Sequence, residues 1–238
     1  PESFVGRLQK LGHNAHLLAY DAAGEVGYFG HQPLILRERV YQRGGGDYGR
    51  AWREAAIGAR KQTSFDDFIA AAEFLIDQRY TRPSLLAISG QGNGGLLVGA
   101  AMTQRPDLFG AALIEGGLLD MTRFNRFTGG AAWTREYGSP DSPSDLRALL
   151  AYSPLQRLKP ATTYPATLIT VGDHDEVVTP IHSYKFAAAL QASQAGTAPI
   201  LLRVLPNVGA GPGTPFGKEL QIDADRLAFL FGTLHLAR

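Results

Sequence analysis

From about residue 35 onward, apolar runs of strand length alternate with stretches of helical periodicity. That alternation predicts an α/β fold, a mostly parallel central sheet with helices on both faces. The predicted strands are Leu36–Gln42, Ser84–Ser89, Ala111–Glu115, Ala166–Val171 and Ile200–Leu205. Most are short and apolar, as strands buried on both faces should be. Helices are predicted over Ala51–Ala59, Ser64–Gln78, Gly94–Gln104, Pro180–Gln194 and Glu219–Leu234. The second is the clearest: Ser64 suits an N-cap, Asp66 and Asp67 suit a first turn, and Phe68, Ala71, Ala72 and Leu75 recur at helical spacing.

Between Met121 and Pro165 several Gly and Pro residues surround Trp133 and Tyr137. This reads as an irregular excursion over the sheet's edge, a common place for substrate contacts. No repeat or linker divides the chain, so residues 1–238 are expected to form one domain. Residues 1–38 are the least regular, because Gly24, Gly27, Gly30 and Pro33 interrupt any pattern begun by Leu8, Leu11, Leu17 and Leu18.

Charge narrows the function classes. With 23 basic and 22 acidic residues the net charge is +1, and no run of Lys and Arg offers a footprint for nucleic acid or an anionic membrane. No stretch approaches the roughly 18 apolar residues of a membrane span, and no signal-peptide pattern opens the chain, so a soluble protein is expected, in a compartment left open. The absence of Cys excludes disulfides, thiolate nucleophiles and Cys-ligated metals. Neither a metal nor a cofactor is expected. A start at Pro1 suggests a mature form or an excised piece.

Chemistry concentrates in Ser84–Met102, where an apolar strand enters a glycine-rich turn and leaves directly as a helix. Gly90, Gly92 and Gly95 satisfy a GxGxxG dinucleotide fingerprint, with Glu115 placed to bind a ribose. Gly90, Gly92 and Gly94 also frame a GxSxG nucleophile elbow whose middle residue, Gly92, has no hydroxyl. Plain tight packing of strand and helix explains the glycines equally well.

The surroundings separate these readings. RGGGDYG (43–49) with Trp52, KQTSFDDFIAAAEFLI (61–76), NGGLLVGA (93–100), QRPDLFGA (104–111), AWTREYGSP (132–140), YSPL (152–155) and DHDEVVTPIHSYKFAAALQ (173–191) follow one another in the order and spacing of a known family. Over about residues 40 to 235 the chain resembles the catalytic domain of the prolyl oligopeptidase family of serine peptidases. The resemblance implies an α/β-hydrolase fold, a Ser-His-Asp triad, proline-directed peptide hydrolysis and a peptide partner. It also implies a separate β-propeller, for which this chain is too short.

Residue by residue, the resemblance places the nucleophile at Gly92, the triad acid at Asp175 and the histidine at Ala210, in VGAGPGTP (208–215). Asp175 alone keeps its functional group; a helix cap before Pro180 is its plainer role. The other histidines lie elsewhere, at 13, 16, 31, 174, 182 and 235. Val177 stands where the family has an arginine for substrate carbonyls, and Trp133 matches the tryptophan that stacks on a substrate proline. The Asn93 N–H is expected in the oxyanion hole, while Phe4 is a loose match to a tyrosine donor. Ser89, one residue before the elbow's first glycine, is no substitute nucleophile. The chain is therefore expected to be an inactive member of a serine peptidase family. The alternatives are a non-catalytic peptide-binding scaffold, a dinucleotide-binding oxidoreductase using Gly90–Gly95, and a hydrolase with an unrecognised mechanism.

Overall fold

The computed structural model describes residues 18–20, 26–28, 40–45, 48–210 and 214–235. A small sheet holds β1 (Leu18–Tyr20), β2 (Val26–Tyr28) and β3 (Val40–Tyr41), with β1 antiparallel to β2 and parallel to β3. Helices α1 (Arg50–Glu54) and α2 (Gln62–Asp77) lead into the main sheet. That sheet is wholly parallel and runs in sequence order: β4 (Ala87–Gln91), β5 (Ala111–Glu115), β6 (Ala166–His174) and β7 (Ile200–Gly209). Helix α3 (Asn93–Gln104) joins β4 to β5, and α7 (Ile181–Ser193) joins β6 to β7. Between β5 and β6 lie α4 (Thr134–Tyr137), α5 (Pro143–Tyr152) and α6 (Pro154–Arg157), and α8 (Phe216–Thr233) follows β7.

The period-two alternation of the strands sorts the core into two layers. Ile88, Ala112, Ile114 and Ile169 face α2, α3 and α7 in the larger cluster. Their neighbours Ala87, Ala111, Leu113, Ala166 and Leu168 pack against Phe229 and Leu230 of α8 on the other face. Burial on both faces explains why the polar residues of β5 and the buried part of β6 are limited to Glu115 at the strand's end and the threonines Thr167 and Thr170. Among the described residues no helix is long and apolar enough to cross a membrane.

Several sequence boundaries move for identifiable reasons. Ser64 is not a cap: α2 begins at Gln62, and the buried Ser64 hydroxyl instead donates to the Arg43 carbonyl at 2.7 Å. Asp67 lies beyond the first turn, where its carboxylate takes a two-pronged contact from the Arg43 guanidinium at 2.7 and 3.1 Å. A tertiary partner has captured the groups that local capping rules assign to the helix end. β4 starts later than expected because Pro83–Leu85 turn as a short 3-10 helix, and it runs past Ser89 to Gln91. β7 continues through Pro206 and Asn207, which is tolerable because β7 pairs only with β6 among the described strands. Of the first predicted strand, 36–39 lie outside the described residues. The excursion after Met121 is more regular than predicted, carrying α4, α5 and α6.

The turn from β4 into α3 is a single residue. Gly92 has φ 57° and ψ −113°, a region that side chains with a Cβ enter only with strain. Its N–H donates to the Glu115 carbonyl at 2.9 Å, and its own carbonyl accepts from Leu96 at 3.1 Å and Leu118 at 3.3 Å. Gly90 allows the helix to close on the strand, since a Cβ there would fall 2.2 Å from the Gly94 carbonyl oxygen.

Past β5 the chain is pinned by a buried polar knot. Asp120, 1% exposed, accepts from Thr122 Oγ1 at 2.7 Å and Gln156 Nε2 at 3.1 Å and faces Lys185 Nζ. Its backbone N–H donates to His182 Nδ1 at 3.1 Å, fixing the neutral tautomer with the proton on Nε2. Burial, only partly opposed by Asp120, drives the His182 pKa down to about 4.

Two outcomes follow from these placements. His182 binds a proton more readily in the unfolded chain than in the fold, so its contribution is complete above about pH 6.5 and is lost as pH falls toward 4. Urea unfolding at pH 7 and pH 4.5 should show a loss about 2 kcal/mol larger for the unmodified chain than for His182→Gln. Equal losses would remove His182 from the acid response. For the elbow, Gly92→Ala should lower unfolding stability by about 1 to 3 kcal/mol in the same assay, and an unchanged midpoint would show that the turn is unstrained.

Candidate active site

Parallel pairing brings the carboxyl ends of all four main strands to one edge: Gln91 lies beside Glu115, Glu115 beside Thr170, and His174 beside Gly209. Ligands of open α/β sheets bind outside that edge. A cavity of about 350 Å³ opens there, and Gly92, Asp175, Val177 and Ala210 all line it. Residues more than 80 positions apart in sequence thus share one wall. The remaining lining includes Glu115, Thr170 and Thr214, which sequence reasoning did not assign to a hydrolytic site.

Asp175 is half-buried in the loop after β6. Its Oδ1 accepts the N–H groups of Val177 at 2.9 Å and Val178 at 2.8 Å, which folds the loop back on itself. It does not cap α7, whose first residue is Ile181 and whose cap position is Pro180. Oδ2 sits over Gly116, 3.1 Å from where a Cβ on that residue would be; Gly116 has φ 49°. Burial raises the Asp175 pKa, the two N–H donors lower it, and the charge of Glu176 raises it again, for a net upward shift.

Ala210 offers only a methyl group to the cavity, and its N–H points at Glu176 Oε2, 3.5 Å away. Among the described residues no histidine lines this cavity. His174 is bonded to Asp173 at 2.6 Å on the exposed end of β6, and His182 belongs to the buried knot. His13, His16 and His31, like Phe4, lie outside the described residues. Ser89 is within β4, not at its end, and does not line the cavity.

Asn93 is the first residue of α3 and 8% exposed. Its N–H, like the first donors of any helix, has no acceptor within the helix. Its side chain is held from a distance, because the Tyr137 hydroxyl donates to Asn93 Oδ1 at 2.6 Å. The Tyr137 ring lies under Lys61 Nζ, 5.4 Å from the centroid, and Lys61 pairs with Glu136 at 3.0 Å while being 2% exposed. No local pattern announces a contact spanning 44 residues.

Trp133 ends a 3-10 turn over Thr128–Trp133 and packs, half-buried, against the main core, outside the wall of this cavity. The same turn reaches the site at its other end, where Thr128 Oγ1 donates to the Val177 carbonyl at 3.1 Å. Glu115, the ribose ligand of the dinucleotide reading, has its carboxylate paired with Arg226 of α8. The cavity therefore offers carboxylates, the hydroxyl-bearing residues Thr170 and Thr214, and backbone donors. Gly92 and Ala210 bring neither hydroxyl nor imidazole to it.

Comparison with known proteins supplies the frame for this arrangement. A prolyl endopeptidase of Elizabethkingia miricola is 46% identical over 188 residues, 79% of this chain and 27% of that protein. The chain thus spans only about a quarter of the length of such a relative. A solved prolyl endopeptidase structure superposes over 94% of this chain and 39% of its own, with a TM-score of 0.83 and 37% identity. Prolyl oligopeptidase B from Galerina marginata, solved with a 35mer hydrolysis and macrocyclization substrate, covers the same share of this chain at a TM-score of 0.80 and 30% identity, over 37% of its own length. These neighbours share an α/β-hydrolase domain, and residues 40–236 match the Prolyl oligopeptidase family as a unit. The chain belongs to the prolyl oligopeptidase family.

Proposed function

We propose that this domain binds peptides in the cavity at the sheet's carboxyl edge and does not cleave them. In this reading Gly92 stands at the nucleophile position, Ala210 at the base position and Asp175 at the triad acid. The observation that carries it is the meeting of these three residues around one cavity, with the single surviving functional group, the Asp175 carboxylate, half-buried beside it. Two relatives support a peptide as the ligand: one is named a prolyl endopeptidase, and another was solved with a peptide substrate.

The chemistry explains why such a site would hold without cutting. A serine hydroxyl attacks only as an imidazole removes its proton, and the acid serves to orient that imidazole. Loss of the nucleophile or the base alone costs on the order of a million-fold in turnover, and loss of the second adds little. What remains is the Asn93 N–H, able to polarise a carbonyl, and the walls that bind the chain. Val177 leaves peptide carbonyls without a guanidinium partner. Trp133, set back from the cavity, is assigned to a more distant part of the peptide path.

Hydrolysis of a proline-containing chromogenic peptide should be undetectable for the unmodified chain and for Gly92→Ser, whose hydroxyl stays protonated without a base. Gly92→Ser combined with Ala210→His should give weak but measurable turnover that Asp175→Ala abolishes. Turnover by the unmodified chain, surviving Asp175→Ala, would place the chemistry on other residues.

A further inference from the structure

Helix α8 carries two apolar faces, and the fold buries one of them. Ile222, Phe229 and Leu230 pack against the sheet, while Phe216, Leu220, Leu227 and Phe231 are 75%, 59%, 44% and 37% exposed. At about 100° per residue these four share an arc of about 120° with Gly217, Ala224 and Ala228. All seven positions are exposed and none is polar. None of them lines the cavity at the sheet's carboxyl edge. With side chains on the order of 200 Å² each, the stripe leaves roughly 400 Å² of apolar surface open, about half of the ~800 Å² that a stable interface takes from each partner.

We infer that two copies of this chain pair through α8, antiparallel, about a two-fold axis that passes between Asp223 and Ala224. The stripe is symmetric about that point: Leu220 and Leu227 lie equally far on either side of it, and so do Phe216 and Phe231. Antiparallel pairing therefore sets Leu220 against the partner's Leu227 and Phe216 against the partner's Phe231, the self-complementary pattern of a two-fold interface. Ala224 stands at the axis, where a small side chain lets the two backbones approach. The charges flanking the stripe are already matched within the chain. Lys218 Nζ donates to the Pro206 carbonyl at 2.9 Å, Asp225 pairs with Arg203, and Arg226 pairs with Glu115 and, at 3.0 Å, with Asp223. A second copy thus meets little uncompensated like charge. At the far end of the helix a cavity of about 620 Å³ opens between Ala228, Phe229 and Gly232 and Leu201 of β7. The same pairing brings the partner's Phe216, the most exposed apolar side chain of the helix, to that opening.

Sedimentation velocity on the full chain tests this. The unmodified chain should run as a dimer, at twice 25.6 kDa, near about 100 μM and dissociate on dilution toward about 1 μM, as an interface of modest area does. Leu220→Glu and Leu227→Lys, both at exposed positions, should each weaken self-association at least about tenfold by placing a charge in the apolar seam. Mixed in equal amounts, the two variants should recover the dimer, because position 220 of one copy then meets position 227 of the other with the opposite charge. Circular dichroism separates loss of pairing from loss of folding. Should either variant misfold, Ala224→Arg, at the axis, should give a folded monomer. A monomer for the unmodified chain at about 100 μM, or dimers that survive these substitutions, would overturn pairing through α8 and leave the stripe to a different partner. Loss of the dimer in both folded variants with no recovery on mixing would overturn the antiparallel register.

Discussion

Everything around the cavity depends on one reversal of the backbone. The chain leaves β4 and enters α3 within a single residue, and that residue must adopt the φ and ψ of Gly92 for the strand's carboxyl end and the helix's first N–H groups to face the same opening. The hydrogen bond from the Gly92 N–H to the Glu115 carbonyl ties this reversal to the next strand, and the Leu118 N–H returns to the Gly92 carbonyl. Once β4 and β5 are fixed this way, parallel register carries β6 and β7 to the same edge, and the loops bearing Asp175 and Ala210 arrive over the turn.

The sequence made much of this legible, for physical reasons that vary by element. β5 is legible to its ends because Ala111–Glu115 is an apolar run bounded by Gly110 and Gly116. The glycine-rich turn was legible because only strand, turn and helix in immediate succession explain its spacing. The gathering of Gly92, Asp175, Val177 and Ala210 was reachable through family resemblance, since nothing local links the loops after β6 and β7. Contacts set by tertiary partners were not legible. Ser64 looked like a helix cap until the Arg43 carbonyl claimed its hydroxyl, and the Tyr137 grip on Asn93 leaves no trace in periodicity. The reach of Glu176 toward Ala210 depends on how two separate loops fold back. Trp133 matched its motif, yet it packs beside the cavity's neighbourhood and not in its wall.

In the proposed account, scaffold and chemistry have separated. The elbow, the acid-bearing loop and the buried Asp120–Lys185–His182 knot serve the shape of the fold, and packing and hydrogen bonding keep them in place whether or not a nucleophile is present. Glycine at position 92 is well suited to the strained turn, so a stable fold and a missing hydroxyl are compatible at the same residue. In that account the residues at positions 92 and 210 remove the proton-transfer pair but leave the cavity's walls and the Asp175 carboxylate in place, which turns a site for chemistry into one suited to holding a peptide.

The most direct measurement is covalent labelling with a fluorophosphonate, which reacts with a serine activated by a neighbouring base and is read by intact-protein mass. The unmodified chain should keep its mass after prolonged incubation, whereas the chain carrying Gly92→Ser and Ala210→His should gain one adduct mapped to position 92. A stoichiometric adduct on the unmodified chain, at Thr214 or any other hydroxyl near the cavity, would mean that an activated nucleophile exists and that the binding-only account is wrong.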